Sequence, residues 1–205
     1  VAALLDAGAR EEGLREALAG LDVDGYEVRV TRKEVGALVG CDFDVVVDAA
    51  HENHDHDMEW LYGGVEDGPQ VHGHHHDHDH HHGHHGHHHD HRNLADIRHI
   101  VDHAGLSDEV RGTALAIFGI IAQAEARAHG MTAETVHFHE VGAVDSIVDV
   151  VAVAWCLHDL AIDDVVVSPL AEGEGHVRCA HGVLPIPVPA VAHIAQTHGL
   201  VLRQA

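Results

Sequence analysis

The first 48 residues carry two periodic patterns of apolar positions, which predict two helices followed by two strands. Residues 1–7 and 11–21 place leucine and alanine at helical spacing, which favours two short helices. Residues 26–30 alternate apolar with charged side chains, as a half-buried strand does. Residues 43–47 are more apolar, and we expect a second, more buried strand there.

The middle of the chain predicts three further helices and one extended segment. Residues 94–101 form one apolar helical stripe. Ser107, followed by two acidic residues, predicts the start of a long helix that reaches about residue 128. Residues 145–160 are apolar nearly all round, which indicates a buried helix. The short stretch 136–139 is predicted to be extended.

The C-terminal quarter adds short strands and a last helix to these predictions. Residues 165–167 are three consecutive valines and are interpreted as a buried strand, and residues 176–179 as another strand. Prolines at 185, 187 and 189 predict a rigid extended lead into a helix over 190–197. Helices that alternate with strands in this way predict an α/β fold, with a mixed sheet and flanking helices.

Residues 49–91 differ in composition from the rest of the chain, because they consist mostly of His, Asp, Gly and Glu. Such a segment cannot bury enough apolar surface to offset its chain entropy, so we predict a disordered, His-rich insertion. The chain then divides into an N-terminal α/β segment (1–48), a mobile insertion (49–92) and an α/β core (93–205).

Histidine dominates one part of this insertion, where it occupies 14 of the 20 residues from His72 to His91. Imidazole suits Ni, Cu and Zn, and a flexible array cannot impose one coordination geometry. We therefore interpret the run as a tether that collects metal, and the alternative interpretation is a solvated spacer. The predicted ligands of the tether are His74, His75, His76, His78, His80, His81, His82, His84, His85, His87, His88 and His89.

The charge balance is strongly acidic, with 34 Asp and Glu against 11 Lys and Arg. A surface this negative opposes nucleic acid and anionic membranes and attracts cations. The same composition is also typical of proteins from a salt-adapted cytoplasm, so charge alone does not identify a partner. Three cysteines without a C-x-x-C pair argue against a disulfide framework and favour a reducing cytoplasm. The apolar runs are too short to span a bilayer.

Two imidazoles and three carboxylates lie close together in the sequence between His137 and Asp149. In an extended segment His137 and His139 share one face, and in a helix Asp145 and Asp149 share another. Unpaired charges are costly to bury, and a divalent metal or a polar ligand compensates them. We therefore predict a site drawn from these side chains and Glu140. The alternative for Asp145 is a carboxylate that caps its helix.

A second pattern, Cys179-Ala-His181, repeats the two-residue spacing of the first. A thiolate and an imidazole on one strand face suit a borderline-soft ion such as nickel, copper or zinc. The alternative is a cysteine that is part of the core. The neighbouring Arg178 is one of few cations and suits a phosphate or a carboxylate, or else a surface ion pair.

Missing motifs exclude several enzyme classes. The chain has no G-x-x-x-x-G-K-[ST], and its only lysine, Lys33, is followed by Glu34, so no phosphate-binding loop of the P-loop type is present. There is no H-E-x-x-H, which excludes a zincin, and no G-x-S-x-G nucleophile elbow.

Several strings of the sequence together resemble the LarC family of nickel insertion proteins. The resemblance is dense over 93–190 and loose over 1–48, and it includes a His-rich insertion directly before the first of these strings. The strings are Leu94-Ala-Asp-Ile-Arg98, Ala114-Leu-Ala-Ile-Phe118, Ala124-Glu-Ala-Arg127, His137-Phe-His-Glu-Val-Gly-Ala-Val-Asp-Ser146, Ser168-Pro-Leu170 and Cys179-Ala-His-Gly-Val-Leu-Pro185.

The resemblance implies a cytoplasmic cyclometallase of the lyase class. Proteins of this family insert Ni(II) into pyridinium-3,5-bisthiocarboxylic acid mononucleotide in a reaction that depends on CTP and a divalent cation. The product serves lactate racemase-type enzymes. The predicted roles are metal ligation by His137, His139, Asp149, Cys179 and His181, catalysis by Glu140 and Asp145, and cofactor binding by Arg178 and Ser146.

The resemblance also implies segments that this sequence does not contain. The family has an N-terminal strand with a glycine-rich loop and a C-terminal nucleotide-binding part, so we expect this chain to be the N-terminal, nickel-handling portion. Its partners are then the substrate mononucleotide, the C-terminal portion and a lactate racemase-type acceptor, with homo-oligomer assembly left open. The alternatives are a non-enzymatic nickel or zinc storage or delivery module and, third, a small metallohydrolase.

Overall fold

A computed structural model of the chain describes residues 1–48, 92–138, 141–179 and 182–204. Both helices and strands are present, which confirms the predicted mixture of the two; the predicted insertion at 49–91 lies outside the described residues. The elements in chain order are α1 (Ala2–Asp6), α2 (Glu11–Ala19), β1 (Tyr26–Val35), β2 (Leu38–Val47), α3 (Leu94–His103), α4 (Asp108–His129), α5 (Val144–Asp159), β3 (Leu170–Glu172), β4 (His176–Cys179), β5 (Gly182–Pro185), α6 (Pro189–His198) and β6 (Leu202–Gln204).

Helix α5 lies at the centre of the hydrophobic core, as its nearly continuous apolar sequence predicts. It packs against α4 and also against α1, α2 and β2, so it joins the N-terminal elements to the rest of the chain. Full burial of one such aliphatic side chain stabilises the fold by about 1.5–3 kcal/mol. The buried residues of the helix are Val144, Ile147, Val148, Val151, Ala152, Ala154 and Cys156.

Helix α4 is the long helix that the sequence predicts after Ser107. The Ser107 hydroxyl accepts a hydrogen bond from the Val110 amide at 3.3 Å, so it caps the helix as expected. Gly130 ends the helix in the left-handed conformation at φ 66°, where a side chain would be strained. Phe118 is fully buried against the core, and α3, α5 and α6 all pack on this helix.

The N-terminal elements attach to α5 through side chains along α2 and the strands. The indole ring of Trp155 comes so close to α2 that a Cβ at Gly13 would lie 2.7 Å from it, so any larger residue there would force the ring to shift. At the end of α5, Asp159 accepts hydrogen bonds from the Arg10 amide at 2.8 Å and from its guanidinium. Tyr26 at the start of β1 donates its hydroxyl to the Leu18 carbonyl at 2.7 Å.

The strands pair two by two within the described ranges, so they do not form the single mixed sheet that was predicted. Strands β1 and β2 pair antiparallel from Tyr26 opposite Val47 to Val35 opposite Leu38. Strands β4 and β5 are also antiparallel, whereas β3 and β6 are parallel. The helices supply most of the buried surface, and a wide sheet is therefore not needed to complete the core.

The prediction of a buried strand over 165–167 is wrong. These residues are outside the strands, and Val165, Val166 and Val167 are 64%, 90% and 52% exposed. A run of three apolar residues is too short for periodicity to indicate which face is covered. The preceding Asp163 and Asp164 are exposed as well, so this stretch lies at the surface.

None of the helices in the described part of the chain is long and apolar enough to cross a membrane.

Truncation of one core residue and one valine of this surface stretch should have very different effects on stability. Ile147 in α5 is fully buried, and Ile147→Ala should lower the free energy of unfolding by about 2–5 kcal/mol, because it leaves a cavity. Val166→Ala should change it by less than about 0.5 kcal/mol. Urea denaturation followed by circular dichroism measures both free energies. A large loss of stability in the Val166 variant would show that this valine is buried, as the sequence predicted.

Candidate functional site

The first part of the predicted His/carboxylate motif is held against the start of α3. His137 forms an isolated antiparallel bridge with Asn93, and the Phe138 amide donates to the Arg92 carbonyl at 3.0 Å. Val136 and Phe138 are 1% and 2% exposed, whereas His137 between them is exposed. This alternation is that of an extended segment, so the predicted orientations of His137 and Phe138 are confirmed.

Arg92, for which the sequence predicted no role, holds the turn that follows Phe138. Its guanidinium donates to the Gly142 carbonyl at 2.9 Å, while its own carbonyl accepts from Phe138. One residue therefore holds both sides of the turn between Phe138 and Ala143, which we call the motif turn. The available signal was an arginine directly after an insertion of histidine and acidic residues, in a chain with only 11 Lys and Arg.

Gly142 is buried in the middle of this arrangement. A Cβ there would lie 2.9 Å from the Phe138 carbonyl oxygen, 3.1 Å from the Phe138 Cβ and 3.4 Å from the Arg92 carbonyl oxygen. The closest of these atoms belongs to the backbone, which cannot rotate away as a flexible side chain can. This close approach explains why glycine occupies position 142 of the motif.

Helix α5 begins directly after the turn, and its first residues carry the predicted carboxylates. Ala143 occupies the N-cap position and gives no side-chain hydrogen bond, so the alternative of Asp145 as the capping residue is wrong. The Asp145 carboxylate accepts from the Ser146 amide at 2.8 Å. Asp145 and Ser146 are partly exposed, and Asp149 is exposed one turn further along.

The carboxyl of Asp149 holds its proton more firmly than an ordinary aspartate. Desolvation of the carboxyl by its neighbours raises its pKa, the Val1 ammonium opposes this, and the nearby carboxylate of Asp145 raises the pKa again. Two carboxylates on one face of a helix create a negative potential that a cation relieves, since a bound cation favours the charged form of both groups. This face of α5 is therefore suited to a cation beside the motif turn.

The second predicted pattern lies on the hairpin of β4 and β5. Cys179 is half-buried and Arg178 is exposed, and the partner of Cys179 in the antiparallel register is Gly182. The chain reverses direction between Cys179 and Gly182, and His181 lies outside the described residues, so the shared strand face of Cys179 and His181 stays a prediction. The strand over 176–179 is confirmed.

Several predicted site residues lie outside the described residues, and so their positions stay predictions. Among the described residues, no three or more His, Cys, Asp or Glu side chains are grouped closely enough to hold a metal ion. Convergence of the motif with Cys179 is therefore also still a prediction. The undescribed site residues are His139, Glu140 and His181, together with all the histidines of the tether.

Substitution of two glycines by alanine should separate the packed turn from an ordinary helical position. Gly142→Ala should lower the free energy of unfolding by about 1–3 kcal/mol, because the added methyl overlaps the backbone of Phe138. Gly119 lies in α4, and a Cβ added there would have no neighbouring atom within 4 Å. Gly119→Ala should therefore raise the free energy of unfolding by about 0.5–1 kcal/mol. Urea titrations measure both, and a stable Gly142 variant would show that the turn is loosely packed.

Several known proteins are similar to this chain. The sequence model of the family described as nickel insertion protein matches residues 1–204. A pyridinium-3,5-bisthiocarboxylic acid mononucleotide nickel insertion protein from Alkaliphilus metalliredigens is 47% identical over 203 residues, which cover 99% of this chain and 44% of the relative. No solved structure matches the chain at a significant level.

Two further relatives carry the same name. The protein from Acetivibrio thermocellus is 40% identical, and the matched region covers 92% of this chain and 39% of the relative. The protein from Lactiplantibacillus plantarum is 43% identical, and the matched region covers 98% of this chain and 44% of the relative. The chain thus spans less than half the length of these relatives. The match over 1–204 and the identities of 40–47% show that the chain belongs to the nickel insertion protein family, also known as the LarC family.

Proposed function

We propose that this chain is the nickel-handling, N-terminal portion of an enzyme that inserts Ni(II) into pyridinium-3,5-bisthiocarboxylic acid mononucleotide in the cytoplasm. The observation that supports this proposal is the motif turn, which Arg92 and Gly142 fix directly before the carboxylates at the start of α5. The names of the relatives support the choice of substrate. The reaction class is that of a nickel chelatase and cyclometallase, a lyase.

The proposed nickel ligands combine imidazole, carboxylate and thiolate. His137 and Asp149 are exposed at the motif, and Cys179 lies on the hairpin; His139 and His181 complete the set. Nickel accepts nitrogen, oxygen and sulfur donors, and the substrate itself offers sulfur. The thiocarboxylate groups of the substrate replace the protein side chains one by one, and the ion is transferred to the substrate in this way.

The proposed base is a carboxylate of the same motif. Formation of a nickel–carbon bond removes a proton from the pyridinium ring, and a general base needs to be within reach of that proton. Asp145 is partly exposed at the start of α5, and Glu140 precedes it by five residues in the sequence. One of these two carboxylates accepts the proton.

The substrate is anionic, and two features favour its binding near the motif. The N-terminus of α5 has no side-chain cap from Ala143, and a helix N-terminus favours negative charge. Ser146 lies in the first turn of this helix, and we propose that the exposed Arg178 of β4 contacts the phosphate of the same substrate. We assign the mononucleotide phosphate to these residues.

The CTP and divalent cation expected of the family fit this chain poorly. A triphosphate needs a cradle of basic side chains and glycine-rich backbone, whereas the net charge here is −23. Five of the arginines, Arg10, Arg15, Arg29, Arg32 and Arg111, are engaged with carboxylates. We therefore assign CTP to the part of the relatives that this chain does not cover, and that part and a lactate racemase-type acceptor are the proposed partners.

A second candidate function is nickel or zinc storage or delivery without catalysis. The observation that favours it is the density of histidine between 72 and 91, because such a run binds borderline-soft ions without any fixed site. The two functions differ in one requirement: catalysis needs a site of defined geometry outside the tether, and storage does not. No comparable observation favours a metallohydrolase.

Replacement of His139 tests the fixed site. If His139 is a ligand in a shaped site, His139→Ala should reduce cofactor formation more than about 100-fold even with nickel in excess, since added metal cannot restore a missing ligand. The assay follows formation of the nickelated mononucleotide after addition of the polypeptide that supplies the rest of the relatives' length. His198→Ala, at an exposed histidine in the last turn of α6, should leave the rate unchanged.

A structural role for His139 would give a different result. The alanine variant would then lose about 1–3 kcal/mol of stability through unpaired partners, yet keep its activity in a cold assay. Full activity of a folded His139→Ala protein would exclude this histidine from the site.

Deletion of residues 72–91 tests the tether. The deleted segment contains only His, Gly and Asp, so its removal takes no apolar side chain from the core. We expect most of the bound nickel to be lost, the melting temperature to change little, and nickel insertion to persist when nickel is supplied in excess. Equilibrium dialysis with Ni(II) and thermal unfolding measure these quantities. Loss of insertion at excess nickel would place the essential nickel ligands in the tether and overturn the fixed site. Loss of all high-affinity nickel binding would favour storage by the tether as the function.

A further inference from the structure

Two histidines of α3 lie side by side on the surface, outside the proposed nickel-insertion site. His99 and His103 are separated by one helical turn and both are exposed. The centroids of their imidazole rings are 4.2 Å apart, with an angle of 47° between the ring planes. The rings therefore face the same region of solvent and not opposite sides of the helix.

The hydrogen bond of the His103 side chain determines which of its two ring nitrogens can bind a metal ion. Its Nδ1 lies 2.7 Å from the His99 carbonyl oxygen, and this oxygen can only accept. The proton of the neutral imidazole is therefore on Nδ1, and Nε2 has a free lone pair. Histidines that ligate metals commonly donate their other ring nitrogen to a backbone carbonyl in this way, which fixes the tautomer and the ring orientation.

The separation of the rings also fits a shared ion. Two imidazoles bound at right angles around an ion, with metal–nitrogen bonds of about 2.1 Å, have centroids about 4.6 Å apart. The centroids of His99 and His103 are only a few tenths of an ångström closer than that value, and rotation of the two exposed side chains brings one nitrogen of each ring to the same ion. Water completes the coordination, because both rings border solvent.

Charge near the pair favours a cation. Asp96 lies one turn before His99 on the same face of α3, and one of its carboxylate oxygens accepts from the Asn93 amide at 2.9 Å. The net charge of the chain, −23, adds a long-range attraction for cations. At 1.5 Å of rise per residue, His99 lies about 9 Å along the helix axis from Asn93, where α3 meets the motif turn.

We infer that His99 and His103 form a two-imidazole binding site for a divalent transition-metal ion, with Ni(II) and Cu(II) preferred over Mg(II). Imidazole is a good ligand for the former two and a poor one for magnesium. The site shares no residue with the proposed insertion site. Failure of nickel insertion therefore leaves it intact, and its test measures binding and not catalysis.

The experiment follows the amide resonances of α3 in the ¹⁵N-labelled full chain while Ni(II) alone is added. Paramagnetic nickel at the pair should broaden the amides of residues 98–104. Either His99→Ala or His103→Ala should raise the nickel concentration for half broadening roughly 100-fold, because one of two linked ligands is lost. His198→Ala should not change it, and Mg(II) should leave the chemical shifts of residues 98–104 unchanged.

A double variant controls for the many histidines of the tether. Arg98→His combined with His99→Arg keeps the histidine count and the charge of α3 but changes the spacing from four residues to five, which separates the rings around the helix. Broadening that disappears in this variant supports the pair. Broadening that persists in it or in His99→Ala assigns the ion to other histidines and overturns the inference. Absence of broadening in the natural chain, with more nickel than total histidine, overturns it as well.

Discussion

The burial of α5 is the constraint on which the rest of the structure depends. This helix is apolar nearly all round, so it cannot lie at the surface with one face in water, and other elements have to cover it from several directions. Helices α1 and α2 and strand β2 cover it from the N-terminal part of the chain, and α4 covers it from the C-terminal part. The two parts of the sequence on either side of the His-rich segment therefore share one core.

The same constraint determines where α5 can carry polar chemistry. Its ionisable residues are confined to its first turns, with Asp145 and Asp149, and to its last turn, with His158 and Asp159. At the last turn, hydrogen bonds from Arg10 hold the pKa of Asp159 below its usual range, and this contact fixes the N-terminal helices. At the first turns, two neighbouring carboxylates remain partly exposed, where the raised pKa of Asp149 reflects an environment that a cation would relieve. One end of the helix is thus structural and the other is suited to a ligand.

The helices could be predicted from the sequence because their signals are local. Ser107 as a cap and the continuous apolar run of α5 each depend on a few neighbouring residues, and both were confirmed. Pairing of strands is not local, so the two-stranded sheets and the exposure of Val166 could not be read from short apolar runs. The candidate site could be predicted only in part, again because sequence patterns report local neighbours. Its ionisable residues are close in sequence, whereas the role of Arg92 depends on a contact with a residue 50 positions away.

That long contact has a consequence for the order in which the molecule acquires its chemistry. Closing a chain segment of about 50 residues costs on the order of 3–4 kcal/mol of entropy, and Arg92 meets Gly142 only after α3, α4 and α5 have come together. The motif turn therefore takes its shape late in folding. The histidines between 72 and 91 are neighbours in the sequence and need no such closure to bind metal. Under the proposed function, a newly made chain would therefore collect nickel at its histidine run before the motif turn has formed, and incompletely folded molecules would hold the ion without a formed insertion site.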